Sequence, residues 1–133
     1  MIVVDVNIVL RGLRSRAGAS HQILRGMLSG ELRFALSPAV LLEYEDVVRR
    51  PGILGPSNAL EQSDLDVVLD ALCAACLPTH PTIRFRPFLE DPKDDLYVEC
   101  ALAAGATIIV SEDRHFRIPA LRAFGITAMG AAA

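Results

Sequence analysis

The chain has 133 residues, with 16 acidic against 13 basic side chains and a formal net charge of −3 at pH 7. Apolar residues make up 52% and charged residues 22%, values that exclude a disordered or collagen-like chain and fit one domain with a real core. The acidic balance also excludes binding of a polyphosphate by bulk attraction, so any action on nucleic acid must come from local groups.

No apolar run reaches the roughly 18 residues a membrane-spanning helix needs. The opening Met1-Ile-Val-Val-Asp5-Val-Asn7 is apolar, yet no basic stretch precedes it and two polar residues interrupt it, so it is not expected to be a signal peptide. The cysteines are Cys73, Cys76 and Cys100, an odd and sparse set that argues against a disulfide framework. A cytoplasmic location is the expectation.

Met1–Val4 is a short β-branched run that predicts a buried strand. Gly12–Gly18 predicts a basic loop flanked by Arg11 and containing Arg14 and Arg16. Ser20 is a candidate cap for a helix carrying Ile23, Leu24, Met27 and Leu28 and ending near Gly30. Phe34–Leu36 predicts a second strand. Ser37-Pro38 then starts a helix with Val40, Leu41, Tyr44, Val47 and Val48 at helical spacing, which Pro51-Gly52 stops. Leu54–Ser57 predicts a turn, and a longer helix follows from about Leu60 to Leu77.

Pro78 and Pro81 bracket an extended piece, and Ile83–Phe85 predicts another strand. Asp91–Asp94 predicts a turn and cap before a small-residue helix from Asp95 to Ala104, ended by Gly105. Thr107–Val110 is strongly β-branched and predicts a buried strand. A short helix over Ile118–Phe124 and a strand over Ile126–Met129 close the chain. Strands alternating with helices imply right-handed βαβ units and a parallel sheet.

Two acids stand directly beyond apolar strands: Asp5 after Met1–Val4 and Asp113 after Thr107–Glu112. Two more, Glu43 and Asp95, lie near helix starts that follow strands. In a parallel α/β sheet, strand ends and the following helix starts share one edge, where ligands bind. Four carboxylates can therefore meet at one place. Taken singly, Asp94, Asp95, Glu43, Glu45 and Asp46 read as helix caps or solvated helix acids. Asp5 and Asp113 are harder to place in an ordinary core. Converging carboxylates repel and are costly to desolvate, so they need a counter-charge. Hard oxygen ligands suit Mg2+ or Mn2+, and the matching chemistry is phosphodiester hydrolysis by metal-activated water.

These pieces resemble a known family. Val4-Asp5-Val6-Asn7, Leu36-Ser37-Pro38 with Glu43 and Val47–Pro51, Asp91–Ala106, and Ile109–Phe116 together are similar in order and spacing to PIN-domain ribonucleases of the toxin–antitoxin type, over almost the whole chain. The resemblance implies a single domain over residues 1–133, with a three-layer α/β/α fold and a central parallel sheet of about four to five strands. It implies Mg2+- or Mn2+-dependent cleavage of RNA, and in-line attack by metal-activated water would leave 3′-hydroxyl and 5′-phosphate ends. Its acidic set maps onto Asp5, Glu43, Asp95 and Asp113 as catalytic and metal-binding residues. Asp95 is chosen over Asp94 because Val98 and Ala101 stand three and six positions on, and Glu43 over Glu45 for its distance from Ser37-Pro38. Asn7, Ser111 and His115 are the supporting residues. Val6 stands where the family commonly has Thr, and Glu112 where many members have Gly or Arg. The implied partners are the RNA substrate, a cognate antitoxin protein and a second copy of the chain, with no membrane.

Lys93 is the only lysine, so the other cations are arginines, whose planar forks suit phosphate. Arg11, Arg14, Arg16 and Arg114 are the candidate RNA-binding residues, set against an ordinary solvated charged loop. Cys73 and Cys76 form a C-x-x-C near a helix end, where core packing is the expected role rather than redox chemistry. Two rivals remain. One is a Mg2+-dependent phosphatase-type domain, which wants Asp-x-Asp after the first strand where this chain has Asp5-Val6-Asn7. The other is a module of the same fold that binds without catalysis.

Overall fold

A computed structural model describes residues 1–55, 60–82 and 94–132. In chain order the elements are β1 (Ile2–Val4), α1 (Val6–Arg14), α2 (Ala19–Ser29), β2 (Ala35–Leu36), α3 (Pro38–Val48), α4 (Gln62–Ala75), β3 (Leu77–Pro78), α5 (Asp95–Ala104), β4 (Ile108–Val110), a 3-10 turn (Arg114–Phe116), α6 (Pro119–Ala123) and β5 (Thr127–Met129). All strand pairs are parallel. β4 lies between β1 and β5, with Val3 opposite Ile109 and Ile109 opposite Ala128. β2 pairs with β3, and a single bridge from Ile2 to Phe34 sets β2 beside β1. The described strands therefore run in the spatial order β3-β2-β1-β4-β5, consistent with the expected three-layer α/β/α architecture.

The cap of α2 falls at Gly18 rather than at Ser20, which lies inside the helix, and two elements differ from the sequence reading. The expected basic loop from Gly12 is in part helix, because α1 runs from Val6 to Arg14. Asp5 caps it through its side chain, and Val6, Val9, Leu10 and Leu13 give it an apolar face at helical spacing. Gly12 is needed where α1 crosses α2: a Cβ there would lie 3.0 Å from the Ser20 carbonyl and 3.1 Å from Leu24. The second difference is that β3 forms at Leu77–Pro78, directly after α4. The expected strand at Ile83–Phe85, residues 91–93 of the expected turn Asp91–Asp94 and residues 56–57 of the expected turn Leu54–Ser57 lie outside the described residues.

The core is continuous. Val3, Val4 and Ile109 of the sheet, Tyr44 of α3 and Tyr97, Val98 and Ala101 of α5 are all buried within it. α5 packs directly on β1, β2 and β4. Its C-terminus is closed by Gly105 at φ 71°, a left-handed geometry that disfavours any side chain. Ser37 caps α3 by accepting a 3.1 Å hydrogen bond from the Val40 amide, with Pro38 at the first helical position. Among the described residues, no helix is long and apolar enough to cross a membrane.

Two buried tyrosines tie the helices to the first strand. The Tyr44 hydroxyl donates to the Val4 carbonyl, and the Tyr97 hydroxyl accepts a 3.2 Å hydrogen bond from the Val6 amide. These contacts flank Asp5 on both sides along the chain. Tyr44→Phe leaves the Val4 carbonyl without this donor in a fully buried place, so it is expected to lower stability by about 1–2 kcal/mol. A urea titration checks this; an unchanged midpoint would show that the hydrogen bond contributes nothing net.

Candidate metal centre

Because all strands run the same way, their C-terminal ends line one edge of the sheet. Asp5, Ser37, Thr79 and Ser111 are each the first residue past a strand, and each is buried. They continue the strand register. The Asp5 amide donates to the Val110 carbonyl at 2.9 Å, and the Ser111 amide to the Met129 carbonyl at 2.9 Å. This extension carries the Asp5 side chain under the start of α1.

Asp5, Glu43, Asp94 and Asp113 all line one cleft of about 250 Å3, together with Asn7, Leu10, Val47, Arg50, Ile53 and Tyr97. On α3, Glu43 and Val47 are four residues apart and share a face, and Arg50, just past the end of the helix, reaches the same cleft. Glu45 is turned aside and lies 3.6 Å from Arg49, which also pairs with Asp66 of α4. That separation is the physical reason Glu43 reaches the cleft and Glu45 does not.

The expectation for Asp95 needs correction. Asp94, at the cap position of α5, lines the cleft, whereas Asp95 is fully buried and does not. One residue turns a helix by about 100°, so Asp94 shares the face of Tyr97 and Ala101, while Asp95 shares that of Glu99, which is also buried. The apolar positions used to choose Asp95 serve both faces of a helix that is buried nearly all round, so they did not discriminate.

Ser111 is the hub of the centre. Its hydroxyl donates to Asp5 Oδ2 at 2.6 Å and accepts from the Asp113 amide at 2.9 Å. Asp5 Oδ1 accepts from the Asn7 amide at 3.3 Å, and Asp113 Oδ1 from the His115 amide at 2.9 Å. His115 brings Nδ1 to 3.4 Å from both Asp94 Oδ2 and Asp113 Oδ1. One atom each from Asp94, Asp113 and His115 lies within 4.8 Å of the others, a spacing that a metal ion can bridge.

The electrostatics are strained in one direction. Burial is the main cause holding the Asp5 carboxyl above its ordinary value, and nearby Asp113 adds to it; the Ser111 and Asn7 hydrogen bonds oppose them. Tyr97 is held protonated by burial and by Asp5, Glu43 and Asp94 around it. Among the described residues lining the cleft, one cation, Arg50, faces four carboxylates, and its guanidinium is 2.9 Å from Asp46. A hard divalent cation fits such an oxygen-rich, under-compensated donor set.

The remaining candidates fall around the cleft rather than in it. Arg11 and Arg14 are exposed on α1, one turn on from Asn7 and Leu10, and Arg14 Nε donates to the carbonyl of Ile53 in the cleft wall at 2.7 Å. Arg16 is exposed between α1 and α2, and Arg114 is exposed in the 3-10 turn. Glu112 points away: its carboxylate accepts from the Ala131 amide at 2.8 Å, beside Gly130. Arg50 and Tyr97 were missed as cleft residues; Tyr97, three positions after Asp94, shares its helical face, whereas Arg50 lies past the end of α3 and leaves no such periodic signal.

A parallel α/β/α fold with acids gathered beyond the strand ends defines an α/β protein with a candidate metal site at that edge. The PIN domain family model matches residues 1–115, and the chain belongs to the PIN-domain family. PIN domains are generally metal-dependent nucleases. No curated protein and no solved structure matches the chain significantly.

Burial of Asp5 has a measurable consequence in the metal-free protein. A carboxyl whose folded value is raised costs stability as pH climbs from its ordinary value of 3.8 through the raised one, and no further above it. Asp5→Asn keeps the shape and a capping acceptor but removes the charge. The variant is therefore expected to be the more stable of the two at neutral pH in chelator, with the advantage vanishing below the carboxylate range. Thermal unfolding of both proteins across pH tests this, and superimposable profiles would overturn it.

Proposed function

We propose that the chain is a Mg2+- or Mn2+-dependent endoribonuclease. The observation that carries this reading is the convergence of Asp5, Glu43, Asp94 and Asp113 on one cleft at the C-terminal edge of the parallel sheet. Asp94 here takes the role that the sequence reading gave to Asp95. A divalent cation bound by these carboxylates supplies activation of water and neutralisation of a phosphodiester.

The chain's own residues do the positioning. Ser111 orients Asp5 by donating to Oδ2 and fixes the Asp113 backbone, so the two acids keep their separation. Asn7 is exposed at the cleft wall, where its amide can donate to a phosphate oxygen. Arg50 offers a guanidinium to the substrate backbone in exchange for Asp46. Arg11, Arg14, Arg16 and Arg114 extend that cationic path around the rim, which supports RNA binding by a chain of net charge −3. By its family resemblance the protein is also proposed to be the toxin of a toxin–antitoxin pair, neutralised by an adjacent antitoxin, acting in the cytoplasm as a homodimer.

Asp113→Asn is expected to reduce RNA cleavage at least about a hundredfold, and chelation should abolish it until divalent cation is restored. Products should carry 5′-phosphate and 3′-hydroxyl ends. Cyclic 2′,3′-phosphate ends, or full activity in Asp113→Asn, would overturn the reading; metal binding without cleavage would favour a binding module instead. Charge reversal at Arg11 and Arg16 together is expected to weaken RNA binding and flatten its salt dependence by about one to two counterions. A filter-binding salt titration measures both, and unchanged affinity would remove the rim arginines from the interface.

A further inference from the structure

We infer that His115 is a nitrogen ligand of the metal centre and that it biases the site toward Mn2+ over Mg2+. The inference rests on the metal-dependent reading above and concerns which cation that site takes. Its carrier is the placement of His115 Nδ1, 3.4 Å from Asp94 Oδ2 and 3.4 Å from Asp113 Oδ1, two acids that line the cleft, with the imidazole partly exposed.

Three features support a ligand role. The two separations are equal and lie beyond the roughly 2.7–3.2 Å of a good N–H···O hydrogen bond. They approach the roughly 3 Å that separates neighbouring donors around an octahedral ion with bonds near 2.1 Å. Nδ1 carries at most one proton, so it can donate to only one of the two oxygens, whereas a cation can take one atom from each of the three residues at once. The ring is also fixed in place from its backbone. The His115 amide donates to Asp113 Oδ1 at 2.9 Å, the 3-10 turn Arg114–Phe116 holds the backbone, and the neighbouring Phe116 ring is buried edge-on against Tyr97 with centroids 6.0 Å apart.

The consequence is chemical selectivity. Asp5, Glu43, Asp94 and Asp113 offer only oxygen, which serves Mg2+ and Mn2+ alike. An imidazole nitrogen serves Mg2+ poorly, because that ion is hard and keeps its waters, and serves a first-row transition ion better. A site of carboxylate oxygens and water accepts either ion; adding Nδ1 tilts it to Mn2+.

The test uses the full chain and the metals alone. Pulsed electron paramagnetic resonance of the Mn2+-loaded protein should show imidazole nitrogen coupling, lost in His115→Asn. Calorimetric titration should give a Mn2+-to-Mg2+ affinity ratio that falls about tenfold in His115→Asn, with Mg2+ affinity changed less than about threefold. His115→Phe, which keeps a ring of similar size without a donor, should behave like His115→Asn and separates loss of the ligand from loss of packing. Mn2+ binding without nitrogen coupling, or an affinity ratio unchanged in both variants, overturns the assignment while leaving the carboxylate centre intact. Failure of either metal to bind the wild-type chain overturns the underlying reading as well.

Discussion

Four carboxylates facing one arginine, among the described residues, set the constraint around which this molecule is arranged. Like charges in a shared cleft repel, and one of them, Asp5, is buried almost completely. Left to itself such a group moves toward neutrality, and the raised Asp5 carboxyl records that tendency. Hydrogen bonds limit it. Ser111 donates into Asp5, α1 begins on its carboxylate, and Asp113 is aligned by the same serine. The geometry stays assembled under repulsion because the donors come from strand ends that the parallel ladder already fixes.

The core explains why that assembly is rigid. Tyr44 from α3 and Tyr97 from α5 reach the backbone on either side of Asp5, through the carbonyl of Val4 and the amide of Val6. Both are buried, so the contacts are shielded from water. Glu43 follows directly from the packing of Tyr44, its neighbour in the chain, and Asp94 from that of Tyr97, one turn along. Glu43 and Asp94 are therefore held at the cleft by helices whose tyrosines are locked into the first strand. The centre and the core are one construction, and a cation binding here works against a preformed cage rather than ordering a loose one.

The acidic net charge also takes on a different meaning. The four cleft carboxylates alone carry more negative charge than the chain's net −3, so the remainder of the chain is no barrier to a polyanion. Arg11, Arg14, Arg16, Arg50 and Arg114 stand around the cleft rather than in a separate basic face. Attraction to a phosphodiester would then depend on the metal and on a few forks at the rim, not on the overall field.

Much of this was legible in the residues. β-branched runs marked β1 and β4, Ser37-Pro38 marked the start of α3, and Gly105 marked the end of α5, because each is a local stereochemical choice that a short stretch of chain makes alone. The positions of Asp5 and Asp113 followed too, since an acid just past a parallel strand can lie only on one edge. Helix α1 was legible but overlooked: its glycine and arginines suggested a loop, while Asp5 and the spacing of Val6, Val9, Leu10 and Leu13 called for a helix. Other features needed the assembled fold. Asp94 rather than Asp95 faces the cleft because a buried helix shows apolar residues all round, and only its docking on β1, β2 and β4 sets which side opens. The meeting of His115 with Asp94, and of Ser111 with Asp5 across 106 positions, depends on strand order and helix tilt. Those are set by long-range packing, which leaves no local mark in the chain.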